Sequence, residues 1–164
     1  MASIKFEDVY SRFYTKVEAY DLIDERYQEV YSEFMCNWLR SAIGYPHIRK
    51  VFSEISIDDE TETVEYELAY KIDDALDSEF VVDLLSYGMV YGWVQPKVNS
   101  ITNVTQFFGT SDEKYFSQAA HLSELRGLRD DTEKKIRALT SSRGFLNNQY
   151  LDGNAASANL RNKK

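Results

Sequence analysis

The sequence predicts a mainly α fold: a small helical bundle with an inserted β-hairpin and a long C-terminal helix followed by a flexible tail. Three observations carry that reading. Apolar residues recur at helical spacing over most of the 164 residues, the period drops to two between about residues 52 and 72, and the last dozen residues are too polar to pack. A chain of this length supports one core that buries roughly two thirds of the surface its unfolded form exposes. Residues 1–153 are therefore expected to form a single domain, and 154–164 a polar tail that is disordered unless bound. Hydrophobic residues make up 43% of the chain and aromatics 14%, enough to build such a core.

Taken in order, Phe6, Val9, Tyr10 and Phe13 follow Ser3 at helical spacing, which predicts an amphipathic helix over about 4–15. A break is expected near Ala19-Tyr20. Asp21 can cap a second helix, on which Tyr27, Val30, Tyr31, Phe34, Trp38 and Leu39 form a broad apolar face until Gly44-Tyr45-Pro46 stops it. Phe52, Ile55 and Ile57, then Val64, Tyr66, Leu68, Tyr70 and Ile72, alternate with polar residues across Asp58-Asp59-Glu60-Thr61-Glu62. This is the pattern of a β-hairpin with an acidic tip, whose apolar face must pack on helices because an isolated hairpin is marginal in water. Asp77 is expected to cap a third helix, with Leu76 and Val81 at staple positions and a buried run through Leu84, Leu85, Val90, Tyr91, Trp93 and Val94. That helix reads as central. Gly88 and Gly92 leave a groove for close approach of another helix, and Pro96 is expected to kink or restart the chain before Phe108-Gly109. Residues 110–116 are expected to be a loop, and Ser117 the cap of a last helix carrying Leu122, Leu125, Leu128, Ile136 and Leu139 until Gly144. There is no internal repeat.

The net charge is −8, and its distribution says more than its sum. From Glu54 to Asp83 there are twelve acidic residues and one base, Lys71, so this stretch carries 1 − 12 = −11 and the remainder +3. A phosphate-binding face needs clustered Lys and Arg, so tight nucleic-acid binding is disfavoured through the middle of the chain. No run of about 18 apolar residues is present and MASIKFEDVY lacks the layout of a signal peptide, which predicts a soluble intracellular product without membrane contact. The single cysteine, Cys36, reads as a small buried hydrophobe.

Catalytic signatures are missing. The chain has no Gly-rich phosphate loop, no paired cysteines, no Gly-x-Ser-x-Gly elbow and no His-Glu-x-x-His. Its two histidines, His47 after Pro46 and His121 in the last helix, read as hydrogen-bonded structural residues, with His121 packed. The acidic run is the strongest chemical candidate, but Asp58-Asp59-Glu60-Thr61-Glu62 lacks the glycine of an EF-hand loop, and alternate residues of a strand point to opposite faces. The expectation is therefore no enzyme, no cofactor and no metal site. Asp58, Asp59, Glu60, Glu62, Glu65 and Glu67 instead read as a solvated or subunit-facing acidic surface. Asp130-Asp131 followed by Lys134-Lys135 suits ion pairs on an exposed helical face.

Three stretches together resemble the head-to-tail connector, or neck, adaptors of tailed bacteriophages that infect Gram-positive hosts. They are Asp77-Ser78-Glu79-Phe80 through Met89-Val90-Tyr91-Gly92-Trp93-Val94, then Asp112-Glu113-Lys114-Tyr115-Phe116, and Ser117-Gln118-Ala119-Ala120-His121-Leu122 leading into a long charged helix. The resemblance spans roughly residues 50–150. It implies a structural virion protein that assembles in the host cytoplasm as a homo-oligomeric ring of about twelve copies. Such a ring lies beneath the portal protein and bridges it to the next neck or tail completion protein, while DNA passes through without specific binding. The tail residues Asn159, Leu160, Arg161, Asn162, Lys163 and Lys164 would then meet the portal, and the acidic residues of the hairpin would face either the channel or a partner. A helical interaction or regulatory adaptor without catalysis is the alternative, and a carboxylate-bound metal enzyme a more distant one.

Overall fold

The computed structural model describes residues 1–17, 28–107 and 112–146. The element order is β1 (Ala2–Lys5), α1 (Phe6–Val17), α2 (Gln28–Gly44), α3 (Pro46–Arg49), β2 (Phe52–Asp58), β3 (Thr63–Leu68), α4 (Asp74–Phe107) and α5 (Asp112–Leu146). The mainly α class with a hairpin and a long C-terminal helix is as the sequence predicts. The break near Ala19-Tyr20, the cap at Asp21, Phe108-Gly109 with the first two residues of the expected loop, and the tail at 154–164 lie outside the described residues.

Helix α4 is the axis of the molecule. Its 34 residues span about 50 Å at 1.5 Å per residue, and α1, α2 and α5 all pack on it. Val81, Leu84, Leu85, Met89 and Val94 are sealed from solvent on several sides of the helix, the signature of a helix surrounded by others. The main core joins Val81, Leu84, Leu85 and Met89 to Val9 and Phe13 of α1, Met35 and Leu39 of α2, Ile48 of α3, Val64 and Tyr66 of β3 and Ile136 of α5. A smaller cluster of Val94, Val98, Leu122 and Leu125 continues the α4–α5 contact beyond it.

The hairpin is part of a three-stranded antiparallel sheet of order β1-β3-β2. Ile4 and Lys5, expected at the start of a helix, instead join Ala2 and Ser3 in a strand that pairs with β3 from Ala2 opposite Tyr66 to Lys5 opposite Thr63. Four residues are too few for a period to show, and pairing with β3 decides their state. The turn from β1 into α1 is fastened where Glu62, at φ 51°, turns its carbonyl to accept the Phe6 N–H at 2.9 Å. That bond satisfies a donor that the first turn of a helix leaves open.

Several local expectations are corrected. Asp73, not Asp77, caps α4, its carboxylate accepting the N–H groups of Ala75 and Leu76 at 3.0 and 3.4 Å. Leu76 is 63% exposed and staples nothing. Tyr70 and Ile72 are also exposed, because the chain leaves the sheet after Leu68. Phe34 is 47% exposed, stacked on Trp38, and α2 turns Met35, Leu39 and Ala42 inward instead. Pro96 does not restart α4, which runs through it to Phe107. Ser117 lies inside α5, which begins at Asp112, so the expected loop at 112–116 is helical and Ser117 is no cap. Gly144 does not end α5, which continues to Leu146. His121 is exposed rather than packed, and Cys36 is only half-buried.

Candidate functional site

The acidic residues singled out from the sequence separate into two groups. In β3 the buried Val64, Tyr66 and Leu68 alternate with Glu65 and Glu67, which therefore share the face of the sheet turned away from the helices. Glu54 of β2 pairs directly with Glu67. A register irregularity between Phe52 and Glu54 keeps Phe52 on the core side while Glu54 faces out, and the Ser53 hydroxyl donates to the Glu67 carbonyl at 3.0 Å beside it. Like charges set opposite one another repel, and Lys71 relieves Glu67 at 3.1 Å. Glu54 belongs to this face although the sequence pattern did not single it out; its pairing with Glu67, and Ile55 and Ile57 on the opposite side of β2, place it there.

The second group surrounds a cavity of about 520 Å³ between α1, α2 and the hairpin tip. Asp59 and Glu62 reach it from the tip, Glu7 from α1 and Glu33 from α2, while Phe6, Tyr10 and Tyr14 supply an aromatic wall. Tip geometry places these carboxylates. Asp58 Oδ1 accepts the N–H groups of Glu60 and Thr61 at 2.9 and 3.3 Å, folding the loop back on itself. A hydrogen bond from the Thr61 hydroxyl, with those from the two N–H groups, holds the Asp58 carboxyl below its ordinary pKa. Asp59 then meets Arg40 of α2 at 2.6 Å, so Asp58 shapes the tip while Asp59 anchors it.

The same cavity is lined by Cys36, whose thiol donates a weak hydrogen bond to Asp59 at 3.8 Å. Partial burial and the Asp59 charge push that thiol's pKa up, which keeps it protonated and a poor nucleophile. Burial raises the Tyr10 phenol well above its usual value, reinforced by Cys36, Glu62 and Asp59. Sequence reasoning passed over Tyr10, Tyr14 and Cys36 because each sits in an apolar helical pattern that also describes core. Among the described residues, no group of three or more His, Cys, Asp or Glu side chains is placed to hold a metal ion. No described helix is long and apolar enough to cross a membrane. His47 lies against the Tyr45 ring, 5.7 Å between centroids. The tail residues Asn159 to Lys164 lie outside the described residues.

Compared with protein-family models, curated proteins and solved structures, the chain matches none.

Proposed function

We propose that this chain is a structural, non-catalytic head-to-tail connector adaptor of a tailed bacteriophage, forming a ring beneath the portal that joins capsid to tail and lets DNA pass. The observation that carries the reading is where the resembling residues fall. Asp77–Phe80 and Met89–Val94 belong to one uninterrupted helix, α4, on which α1, α2 and α5 pack. Ser117–Leu122 lie in the first turns of α5, the longest partner of α4. The stretches that carry the resemblance thus fall on the two long helices of the domain, a placement that supports a scaffold role.

The outward acidic face of the sheet supports the same reading. Glu54, Glu65 and Glu67 are covered by no described element, and a negative surface turned toward a channel repels phosphates so that the duplex slides. The segment Asn159–Lys164 is the proposed contact with the portal. Electron microscopy of virions, or of the protein mixed with its portal, tests the proposal: a ring of density at the capsid vertex is expected. Absence of the chain from particles overturns it.

A further inference from the structure

We infer that the cavity between α1, α2 and the hairpin tip is a receptor for an arginine side chain presented by a partner protein. The inference does not rest on the connector reading. At about 520 Å³ the space is of the size that small ligands occupy, about 300–1,000 Å³, and it comfortably takes one long side chain with its flanking backbone. Its charge is one-sided: among the described residues Glu7, Glu33, Asp59 and Glu62 line it, and no Lys, Arg or His does. Arg40 is engaged with Asp59, and among the described residues no cation pairs with Glu7, Glu33 or Glu62. An anionic or neutral guest would leave that field unbalanced.

The distribution of the carboxylates selects the kind of cation. They do not converge on a point, since no three of them form a group that could hold a metal ion. A delocalised, planar cation suits spread acceptors better than a compact one. A guanidinium offers five donors in a fixed fork to carboxylates and stacks its face on aromatic rings, which here are Phe6, Tyr10 and Tyr14. The layering fits a side chain entering from outside: Phe6 is buried and Tyr10 and Tyr14 half-buried, while Glu7, Glu33, Asp59 and Glu62 are exposed at the rim. Rim carboxylates of this kind also meet the backbone N–H groups on either side of an incoming arginine, which favours a protein segment over a free amine.

The test is a titration of the isotope-labelled full chain with the peptide acetyl-Gly-Gly-Arg-Gly-Gly-amide, followed by amide chemical shifts. Saturable shifts confined to Tyr10, Cys36, Glu62 and their neighbours are expected, with a Kd of about 1 mM for so short a peptide. The neutral isostere with citrulline in place of arginine should leave the spectrum unchanged. Glu33→Gln with Glu62→Gln, both at exposed positions, should weaken binding about tenfold while the remaining spectrum stays as in the parent chain. Equal binding of the citrulline peptide, shifts that never saturate, or an unaltered Kd in the double variant overturns the inference. Free arginine binding as tightly as the peptide overturns the assignment to a partner protein.

Discussion

Asp77 and Arg143 are 66 positions apart and form a buried ion pair, with side chains 6% and 7% exposed. Burial alone would raise the Asp77 carboxyl. The hydrogen bond and charge of Arg143 and the N–H groups of Ile72 and Asp73 outweigh it, and its pKa is lowered. Arg143 also donates to the Tyr70 carbonyl at 2.8 Å and lies over the Phe80 ring, so one guanidinium ties α5 to the start of α4 and to the link before it. Removing one member leaves a buried charge without its counterpart, and Asp77→Asn is expected to cost about 3–5 kcal/mol in urea unfolding. Adding Arg143→Met to that variant should return part of the loss, because no uncompensated charge then remains. The sign of the pH dependence follows from the lowered pKa. The unfolded carboxyl, near pH 3.9, binds its proton first, so the contribution is fully present above about pH 5 and is lost as pH falls through the folded value. Stability of the parent chain should fall over that acid window more steeply than that of Asp77→Asn; parallel curves would refute the assignment. None of this was legible in the sequence, where Asp73, Asp74 and Asp77 are equally good caps. Only the fold shows that Asp73 takes the cap and that Asp77 turns inward.

At the level of elements, the close approach of α2 to α4 rests on one of two glycines that stand four apart on α4. A Cβ added at Gly88 would lie 2.6 Å from both the Ala42 Cβ and the Ile48 Cδ1, whereas one at Gly92 would meet Ser41 and Trp38 at 3.6 to 3.8 Å, an ordinary contact. The two glycines therefore predict opposite outcomes. Gly88→Ala forces α2 and α3 away from α4 and should destabilise by about 1–3 kcal/mol. Gly92→Ala gains helix propensity without a clash and should stabilise by about 0.5–1 kcal/mol. Thermal unfolding of the two variants checks both, and a loss at Gly92 equal to that at Gly88 would show that the packing is not as described. The spacing of these glycines was readable from the sequence as a groove, as were the central helix, the hairpin and the long α5. What was not readable had a common cause: strand β1 exists through its pairing with β3, and α3 through Pro46 following the end of α2. The start of α5 was ambiguous because Thr110, Ser111, Asp112 and Ser117 are all capping residues.

At the scale of the molecule, among the described residues, α5 and the contact of α1 with α4 carry charge that is largely matched, and the outward face of the sheet carries charge that is not. Along α5, Arg129 pairs with Asp130, Lys134 with Asp131 and Arg137 with Glu133, all on the solvated side. Arg12 and Lys16 of α1 meet Glu79 and Asp83 of α4. On the outward face of the sheet Glu54, Glu65 and Glu67 stand together, with Lys71 bound to Glu67. The acidic density between Glu54 and Asp83 was plain in the sequence, but its division into an ion-paired helix start, a cavity rim and a flat acidic face is a property of the fold. A face of this sign should exclude nucleic acid, so the full chain is expected not to retard duplex DNA even at about 50 mM salt, where counterion release favours binding most. Reversing the face with Glu54→Lys, Glu65→Lys and Glu67→Lys changes three exposed charges without touching Val64, Tyr66 or Leu68 beneath them. Each lysine that engages a phosphate adds a slope of about −0.9 to the dependence of log binding constant on log salt, so the triple variant should bind with a slope approaching about −3. Retardation by the parent chain would show that the acidic face does not govern its dealings with DNA, and a triple variant that stays unbound would show the same.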